Sequence, residues 1–410
     1  MADIGSTLSK YVESSELSSL LESDKFGIYS IKTYGAIGDG IANDTAAIQS
    51  AINAAYNNGG GIVAIPKSSG SYVFTRITNK TNVRLVGFGG VLKLKDNTCV
   101  NASTTYYLLE NLGYSNCSYE GLIIDGNKAN NTLFLVADGI TMGGENTKIQ
   151  NCWIYNVPDS GIMFSGAKNS IVYNNRIDTG SDLGIYVNDG DGTNHYENII
   201  AFNRITGFPN GGIGMKRICQ RTIVSENTIY SCGYGITLEQ ASTASDYSKN
   251  VTIIGNRIRN ITVGGINLRA SNNCVVCNNR IENFGGFGIL LEGDTKYSSV
   301  TGNVVTSDGT ITVVGTYRAA FLMYSRDEIF PSNNTITGNT ALITNSTANN
   351  ILALYLLTLE SKTSGGEYNV ISNNIFRSTS AYGARITSAY TKNNINDNVF
   401  SGSTNDLYIN

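Results

Sequence analysis

Ten asparagines, each followed two residues later by an apolar residue, recur through this chain of 410 residues. They are separated by 24, 28, 24, 29, 23, 24, 36, 35 and 24 residues, which is the length of one solenoid turn with some longer loops. An amide that recurs once per turn can hydrogen-bond the identical amide above and below it. The repeat therefore predicts a coiled stack with its asparagines in register: Asn151, Asn175, Asn203, Asn227, Asn256, Asn279, Asn303, Asn339, Asn374 and Asn398.

The composition narrows the fold class and the partners. The chain has 45 glycines and only 4 prolines, which fits short strands joined by tight turns and predicts an all-β protein. A net charge of −3 leaves no basic footprint for nucleic acid. No apolar run is long enough to cross a membrane, and no apolar signal segment opens the chain. Seven scattered cysteines, an odd number, argue against a disulfide framework.

An end cap is predicted near the start of the chain. Asp44 or Asn43 begins an amphipathic helix, and the glycine-rich segment 57–61 ends it before a strand at Ile62–Ile65. An open stack needs such an amphipathic cover over its first turn. The apolar face of this helix consists of Ile48, Ala51, Ile52 and Ala55.

Residues 28–74 around this cap resemble the N-terminal signature of the pectate-lyase-like superfamily. That superfamily comprises right-handed parallel β-helices: polysaccharide lyases, glycosidases, alginate epimerases and phage tailspikes. The resemblance implies a right-handed parallel β-helix solenoid with a short N-terminal capping helix. We divide the chain into a helical segment at 1–24, the cap and first coils at 25–95, and the β-helix at 96–410. The helical segment either oligomerises the chain or is a frayed terminus.

A Gly-Ile repeat aligns seven coils, beginning with Gly139-Ile140 and ending with Gly288-Ile289. If each isoleucine points inward, the residue two positions later does so too, and the residues between and after point outward. One outward column is Thr141, Met163, Tyr186, Gly214, Thr237, Asn267 and Leu290. The other is Gly143, Ser165, Asn188, Lys216, Glu239, Arg269 and Glu292.

The central coils of these two columns carry the candidate site. With strands about 4.8 Å apart, Lys216 lies beside Glu239, and Arg269 lies between Glu239 and Glu292. Tyr186, Lys216, Glu239 and Arg269 are candidate catalytic residues, and Asn188, Asn267 and Glu292 are candidate substrate-binding residues. Alternating charges also decorate ordinary exposed sheets, so a purely structural role for this face stays open.

Two insertions, at 188–198 and 240–249, border this face and predict a groove. The first contains His195, the only histidine of the chain and a candidate base, together with Tyr196; the second contains Tyr247. Both tyrosines are candidate substrate contacts. Asp189 and Asp191 place oxygen ligands at alternate positions, as calcium loops do, but the later glutamate is missing. Ca²⁺ is therefore a candidate ion there, and no other cofactor is predicted.

The resemblance implies action on a polysaccharide, most simply cleavage of an acidic one by β-elimination. Arg269 would grip the uronate carboxylate, and Lys216, Tyr186 or His195 would take the C5 proton. Glu239 raises the pKa of Lys216, which makes that lysine a doubtful base. Hydrolysis by Glu239 and Glu292, about 9.6 Å apart as two coils of about 4.8 Å, is the rival reaction.

Two branches of the superfamily are disfavoured by missing motifs. The galacturonase branch carries a Gly-His-Gly turn, which this sequence lacks around His195. The alginate-epimerase branch carries an Asp-Pro-His triplet, where the nearest local feature is Pro158-Asp159-Ser160.

A third hypothesis is a carbohydrate-binding tailspike or adhesin without catalysis, arranged as a homotrimer. Either way the protein is expected outside the cell or on a virion tail. The apolar segment at 350–361 predicts a covered surface there, involving Leu354, Leu356 and Leu357.

Overall fold

The computed structural model describes residues 27–99, 106–132, 137–188, 195–216, 219–239, 248–311, 318–325, 329–344, 351–357, 366–379, 382–387, 392–402 and 405–409. The predicted helical segment 1–24 lies outside this range. The described residues form a stack of coils in which each coil contributes one strand to each of three long parallel sheets. The fold is the right-handed parallel β-helix that the sequence predicts.

Sheet A contains 14 described strands and sheets B and C contain 13 each. The strands of sheet A are Ile28–Ser30, Gly61–Pro66, Val83–Phe88, Ser118–Glu120, Lys148–Gln150, Ile171–Tyr173, Ile199–Ala201, Ile223–Ser225, Thr252–Ile254, Val275–Cys277, Ser299–Thr301, Thr335–Thr337, Val370–Ser372 and Asn394–Asn396. Those of sheet B are Tyr72–Phe74, Val91–Leu94, Ile123–Asp125, Trp153–Tyr155, Arg176–Asp178, Arg204–Thr206, Thr228–Tyr230, Arg257–Ile261, Arg280–Phe284, Val304–Ser307, Thr340–Ile343, Ile375–Ser378 and Val399–Ser401.

Sheet C, which carries the Gly-Ile repeat, follows sheet B in each coil. Its strands are Ile77–Thr78, Tyr106–Glu110, Ala137–Met142, Ile162–Ser165, Leu183–Asn188, Gly211–Lys216, Tyr234–Glu239, Gly264–Arg269, Phe287–Glu292, Ala319–Tyr324, Leu352–Leu357, Tyr382–Ile386 and Asn405–Ile409. A short fourth sheet joins His195–Tyr196, Cys219–Gln220, Ser248–Lys249 and Ser271–Asn272. A single turn of 3-10 helix covers Lys128–Asn130.

The predicted cap is a helix at Thr45–Asn57. It buries the four predicted residues, Ile48, Ala51, Ile52 and Ala55, against the first coils. Of the two predicted N-terminal residues, Asn43 accepts a hydrogen bond from the Thr45 N–H at 3.1 Å. The Asp44 carboxylate instead accepts from the Ile37 N–H at 2.6 Å and the Gly38 N–H at 3.1 Å, which ties the preceding loop to the helix start.

Inside the stack, the isoleucines and the residues two positions later form continuous apolar columns. Ile185 pairs with Ile213 and Val187 with Met215, and the same register repeats in neighbouring coils. These side chains are fully buried in one core cluster that runs along the whole stack. The inward half of the predicted alternation is therefore confirmed.

The asparagine ladder lies at the bend between sheets A and B. The Asn256 Nδ2 donates to Asn279 Oδ1 at 3.0 Å and to the Val224 carbonyl at 2.9 Å, while its own Oδ1 accepts the backbone N–H and Nδ2 of Asn227. The same pattern links nine of the ten predicted residues, from Asn175 to Asn398.

Asn151, the first residue of the predicted repeat, is not part of the ladder. Its position is taken by Cys152, whose N–H donates to Asn175 Oδ1 at 2.9 Å. Asn151 stands one residue earlier, exposed and with a φ of 56°, and accepts from Asn174 Nδ2. Asparagine tolerates this left-handed backbone, so here the residue type reflects turn geometry and not stacking.

The apolar segment near the C-terminal end divides between two environments. Leu354 and Leu356 point into the core of the stack. Leu357 belongs to a second apolar cluster on the outside of sheet C, whose buried members are Phe287, Leu290, Ala319, Leu322, Leu352, Tyr355 and Leu357. The predicted covered surface therefore involves Leu357 but not Leu354 or Leu356.

The ladder predicts a position-specific stability effect. Asn256→Ala would remove the Nδ2 donor from the buried Val224 carbonyl and the Oδ1 acceptor from the buried backbone N–H of Asn227, so we expect a loss of about 3 kcal/mol or more in the free energy of unfolding. Asn151→Ala removes an exposed side chain outside the ladder and should cost about 1 kcal/mol from its left-handed backbone. Denaturant unfolding of both variants measures the difference, and equal losses would contradict the ladder's role.

Candidate functional site

The outward columns of sheet C have the predicted register. Tyr186 pairs with Met163 and Gly214, Lys216 pairs with Glu239, and Arg269 pairs with Glu292. The predicted exposure is wrong for part of this face. Thr237, Asn267 and Glu292 are at least nine-tenths buried. Only some of the predicted columns therefore remain open to a ligand.

Glu239 and Glu292 do not form an open pair of carboxylates. The side chain of Glu239 is 36% exposed, whereas Glu292 is only 6% exposed and accepts a hydrogen bond from Asn267 Nδ2 at 3.4 Å. A glycoside hydrolase needs both carboxylates at the substrate. The structure thus removes the geometric support for hydrolysis by this pair, and it gives Asn267 and Glu292 a mutual contact in place of a ligand contact.

Lys216 lies at the centre of the open part of the face. Its ammonium is 5.1 Å from the centre of the Tyr186 ring and 3.9 Å from Glu239 Oε2. Burial lowers the pKa of Lys216, but Tyr186, Glu239 and Asp182 together outweigh it, so the pKa is raised above its ordinary value. Lys216 is therefore a cation at neutral pH, and the expectation that Glu239 makes it a poor base is confirmed in direction.

Tyr186 carries its proton as well. Burial raises the pKa of its hydroxyl, and the opposing effect of Lys216 does not reverse the shift. A phenol that keeps its proton at neutral pH cannot act as a base there, and the proton that it carries can be donated. Tyr186 is thus better suited to donating a proton than to the role of base that the sequence predicts.

The predicted loop residues contribute little to the described site. Asp189, Asp191 and Tyr247 lie outside the described residues, so the calcium prediction stays a prediction. His195 and Tyr196 form a short strand beside Cys219–Gln220, and Asn188 ends the strand Leu183–Asn188 in register with Ser165. Arg269 is half-buried in its column, and its Nε, within the part of the chain described, lacks a hydrogen-bond partner.

The structure adds a cluster of three aspartates that the sequence analysis did not select. Asp138 lies on the strand Ala137–Met142, while Asp159 and Asp182 lie in the loops that lead from sheet B into the next two strands of sheet C. The three carboxyl groups repel one another, and Asp159 and Asp182 also interact with Lys216. We call Asp138, Asp159 and Asp182 the aspartate cluster.

Adjacent loops hold the aspartate cluster in place. The Asp159 carbonyl accepts from the Ser181 N–H at 3.0 Å, and this close approach requires Gly180, where a Cβ would lie 2.4 Å from the same oxygen. The Asp182 carboxylate accepts from Asn210 Nδ2 at 2.7 Å and from the Ser160 hydroxyl at 3.4 Å. Asp182 is thereby fixed from the coil on either side.

Burial and mutual repulsion raise two pKa values in the aspartate cluster. Asp138 is fully buried, and the hydrogen-bonding groups of the neighbouring Ser160 offset only part of the cost of ionising it. Burial first, and repulsion from Asp159 second, hold the pKa of Asp138 well above its usual range. Burial and repulsion from Asp182 raise the pKa of Asp159 to about 7, although Lys216 opposes the shift. Asp159 thus exchanges a proton near neutral pH, and carboxyls shifted in this way mark functional sites.

A sequence signal for the aspartate cluster exists in hindsight. Asp138, Asp159 and Asp182 each stand one or two residues before the glycine of three successive Gly-Ile pairs, and Asn210 continues the series. The alternation rule considered only the strand residues after each glycine, so it missed acids placed just before it. Their burial and shared charge depend on the stacking of coils, which the sequence does not display.

The described residues contain no group of three or more His, Cys, Asp or Glu side chains arranged to hold a metal ion. The seven cysteines are all unpaired, and burial raises the pKa of Cys274 to about 11. In the described part of the chain, no helix combines the length and apolar character needed to span a membrane.

Fold and site together define a parallel β-helix in which three clustered aspartates lie beside a lysine of sheet C. The family model described as "Rhamnogalacturonase A/epimerase, pectate lyase-like" matches residues 28–267, more than half of the chain, and a right-handed β-helix model matches residues 242–355. The chain belongs to the rhamnogalacturonase A/epimerase, pectate lyase-like family. The missing Asp-Pro-His triplet thus did not exclude kinship with epimerases.

Individual relatives agree with this placement. The chain is 38% identical over 113 residues to mannuronan C5-epimerase AlgE2 of Azotobacter vinelandii, which is 25% of this chain and 11% of that protein. It is 37% identical over 118 residues to alginate lyase 7 of the same organism, covering 25% of this chain and 13% of that one. The chain thus spans only about a tenth of the length of these relatives.

Solved structures show the same fold. The A-module of A. vinelandii mannuronan C-5 epimerase AlgE6 superposes with a TM-score of 0.68 at 19% identity, over 92% of this chain and 99% of that one. The Dettilon tailspike protein superposes with a TM-score of 0.57 at 15% identity, over 95% and 69%. At these identities the likeness establishes the β-helix and not a shared activity.

The raised pKa of Asp159 predicts a pH-dependent stability effect. Between pH 3.8 and about 7 the folded chain keeps a proton on Asp159 that the unfolded chain releases, so this residue lowers stability as pH rises, fully so above about 7. Asp159→Asn should therefore raise the melting temperature above pH 7 and have little effect below pH 3.8.

A matched control for this measurement is Asp308→Asn. Hydrogen bonds, first from the Thr310 hydroxyl, lower the pKa of Asp308, so its ionised form stabilises the fold and the variant should lose stability at neutral pH. Thermal unfolding across the pH range compares the two. Shifts of the same sign in both variants would rule out this account of Asp159.

Proposed function

We propose that the chain modifies an acidic polysaccharide by removing the C5 proton of a uronate residue and adding a different proton to the opposite face of the ring, after which proton exchange with solvent restores both catalytic groups. The observation that carries this proposal is the Asp159 carboxyl, whose pKa of about 7 lets it accept a proton at neutral pH beside the cation of Lys216. This choice replaces elimination, the reaction expected from the sequence, with epimerisation. Both reactions begin with the same proton transfer.

Each of three side chains has a role in this proposal. The Lys216 ammonium binds the uronate carboxylate and neutralises it, which stabilises the negative charge that develops when the C5 proton leaves. Asp159 takes that proton as the general base. Tyr186, which keeps its proton at neutral pH, donates to C5 from the other face of the ring.

The rest of the aspartate cluster sets the proton affinity of Asp159. Asp182, held by Asn210 and Ser160, repels the charge on Asp159 and raises its pKa. Asp138 lies behind it in a fully buried position and stays protonated. A carboxyl with an ordinary pKa would be too weak a base for a carbon acid, so burial and the neighbouring Asp182 make Asp159 a stronger one.

The relatives support epimerisation over elimination. The protonated Tyr186 beside the same lysine serves either reaction, because elimination also needs a donor, there for the oxygen that departs from C4. The relatives that match a quarter of the chain or more include six mannuronan C5-epimerases and one alginate lyase. Elimination is the second candidate, supported by the lyase relative and by the shared first step.

We further propose that the protein works outside the cell or on a virion, where such polymers occur. Homotrimer formation stays a prediction. If the protein alters no acidic polymer, the hypothesis that remains is a carbohydrate-binding spike without catalysis.

Incubation of the protein with polymannuronate and polygalacturonate in deuterated water tests the function. Epimerisation introduces deuterium at C5 and changes the uronate composition by NMR. Elimination instead produces ultraviolet absorbance from an unsaturated uronate, and hydrolysis produces new reducing ends without absorbance. An unchanged polymer in every assay, with and without added Ca²⁺, would contradict the proposal and favour a binding spike.

The residue roles predict distinct kinetic losses. Asp159→Asn should lower kcat by about 100-fold or more, the usual contribution of a general base, and abolish the rise in rate as pH increases through about 7. Tyr186→Phe should lower kcat about as much while keeping that rise. Asp397→Asn, at an exposed turn in the last coils, is the matched control and should behave as the unmodified chain.

A further inference from the structure

Sheet B carries an unusual outer surface beside the site. Five arginines on four of its strands point outward, and we call Arg176, Arg204, Arg257, Arg259 and Arg280 the arginine strip. These arginines occupy two outward columns of sheet B, one that includes Arg176 and Arg204 and one that includes Arg259. Between Arg176 and Glu282, the two columns contain only two acidic side chains, Asp178 and Glu282. Five positive charges minus two negative ones leave a surplus of three, on a chain whose net charge is −3.

The arginines are held with part of each guanidinium free for a ligand. Arg257 Nη2 and Arg280 Nε donate to the two oxygens of Glu282 at 3.2 and 2.6 Å. Both arginine side chains remain more than half exposed. One carboxylate thus orients two guanidiniums without neutralising both of them.

Aromatic rings orient the remaining members of the strip. Arg204 donates from Nε to the Tyr230 hydroxyl at 3.0 Å, and Arg259 lies over the same ring, 5.1 Å from its centre. Arg176 lies over the Trp153 ring at 4.6 Å and also pairs with Asp178. Stacking restrains each guanidinium at little cost to its charge, and the flat ring faces nearby suit sugar rings.

The strip matches a linear polyanion in its dimensions. From Arg176 to Arg280 it crosses five successive strands, about 19 Å at about 4.8 Å per strand. A polyuronate carries one carboxylate per sugar, a repeat of the same order as that spacing. Arginine also binds carboxylates through two parallel hydrogen bonds.

The strip is directly connected to the proposed site. Its strands at Arg176–Asp178 and Arg204–Thr206 run into the loops that carry Asp182 and Asn210. A polymer whose one uronate occupies the aspartate cluster would therefore extend around this corner of the coil onto sheet B.

We infer that the arginine strip is a secondary binding surface for the portion of an acidic polysaccharide that extends beyond the catalytic site. This inference rests on the proposed function for its substrate class. The strip would hold the polymer by its carboxylates, so it should matter for long chains and not for short oligosaccharides.

The test compares two double variants in an Asp159→Asn background, in which turnover should be slow enough for binding to be measured. Arg204→Gln with Arg280→Gln removes two members of the strip. The control, Arg84→Gln with Arg221→Gln, removes the same charge from exposed arginines that pair with Glu120 and Glu197 away from sheet B. Thermal unfolding verifies that both fold, and titration calorimetry measures binding of long polymannuronate and of its tetrasaccharide.

The strip variant should bind the long polymer about tenfold more weakly than the control, with a smaller salt dependence, and bind the tetrasaccharide equally well. Equal affinity of both variants for the long polymer would overturn the inference while leaving the proposed function intact. The strip variant is also tested for binding to DNA and to anionic vesicles. If its affinity for these falls as much as its affinity for polyuronate, the surface binds any polyanion and the inference is overturned. No polyuronate binding by any version would overturn both proposals.

Discussion

The structure depends on satisfying the backbone and amide groups buried at the bend between sheets A and B. Each interior asparagine of the ladder, such as Asn256, donates to the next amide and to a carbonyl of the preceding coil, while its oxygen accepts two donors from the preceding coil. Because a buried polar group without a partner is costly, this network fixes the register of neighbouring coils. Every outward column on the other sheets inherits that register, including the positions of Tyr186 and Lys216.

The site results from charges that the stack forces together. Three aspartates from three successive coils meet beside one lysine, and burial prevents water from screening them. One carboxyl stays protonated, one exchanges its proton near neutral pH, and one is held by neutral donors. Such a division of roles among identical residue types would suit the proton transfer that we propose.

The two charged surfaces have complementary tasks in the proposals. Over sheet C, acidic groups with raised pKa values and a single lysine would transfer protons at one uronate at a time. Over sheet B, arginines restrained by rings and shared carboxylates would hold the polymer without reacting with it. A solenoid permits this separation because each face repeats with the coil spacing and can be specialised independently of the others.

The sequence alone determined the repeating architecture, the cap and the inward columns, because period, capping residues and alternation are local properties of the chain. Ile48, Ile52 and the ladder from Asn175 onward were identified in this way, whereas Asn151 was misassigned because turn asparagines and ladder asparagines share a residue type. Tertiary structure decided which outward residues stay open. It buried Glu292 and Asn267 and brought Asp138, Asp159 and Asp182 together. Burial and charge coupling arise only when separate coils stack, and for that reason the reactive groups could not be selected from the sequence.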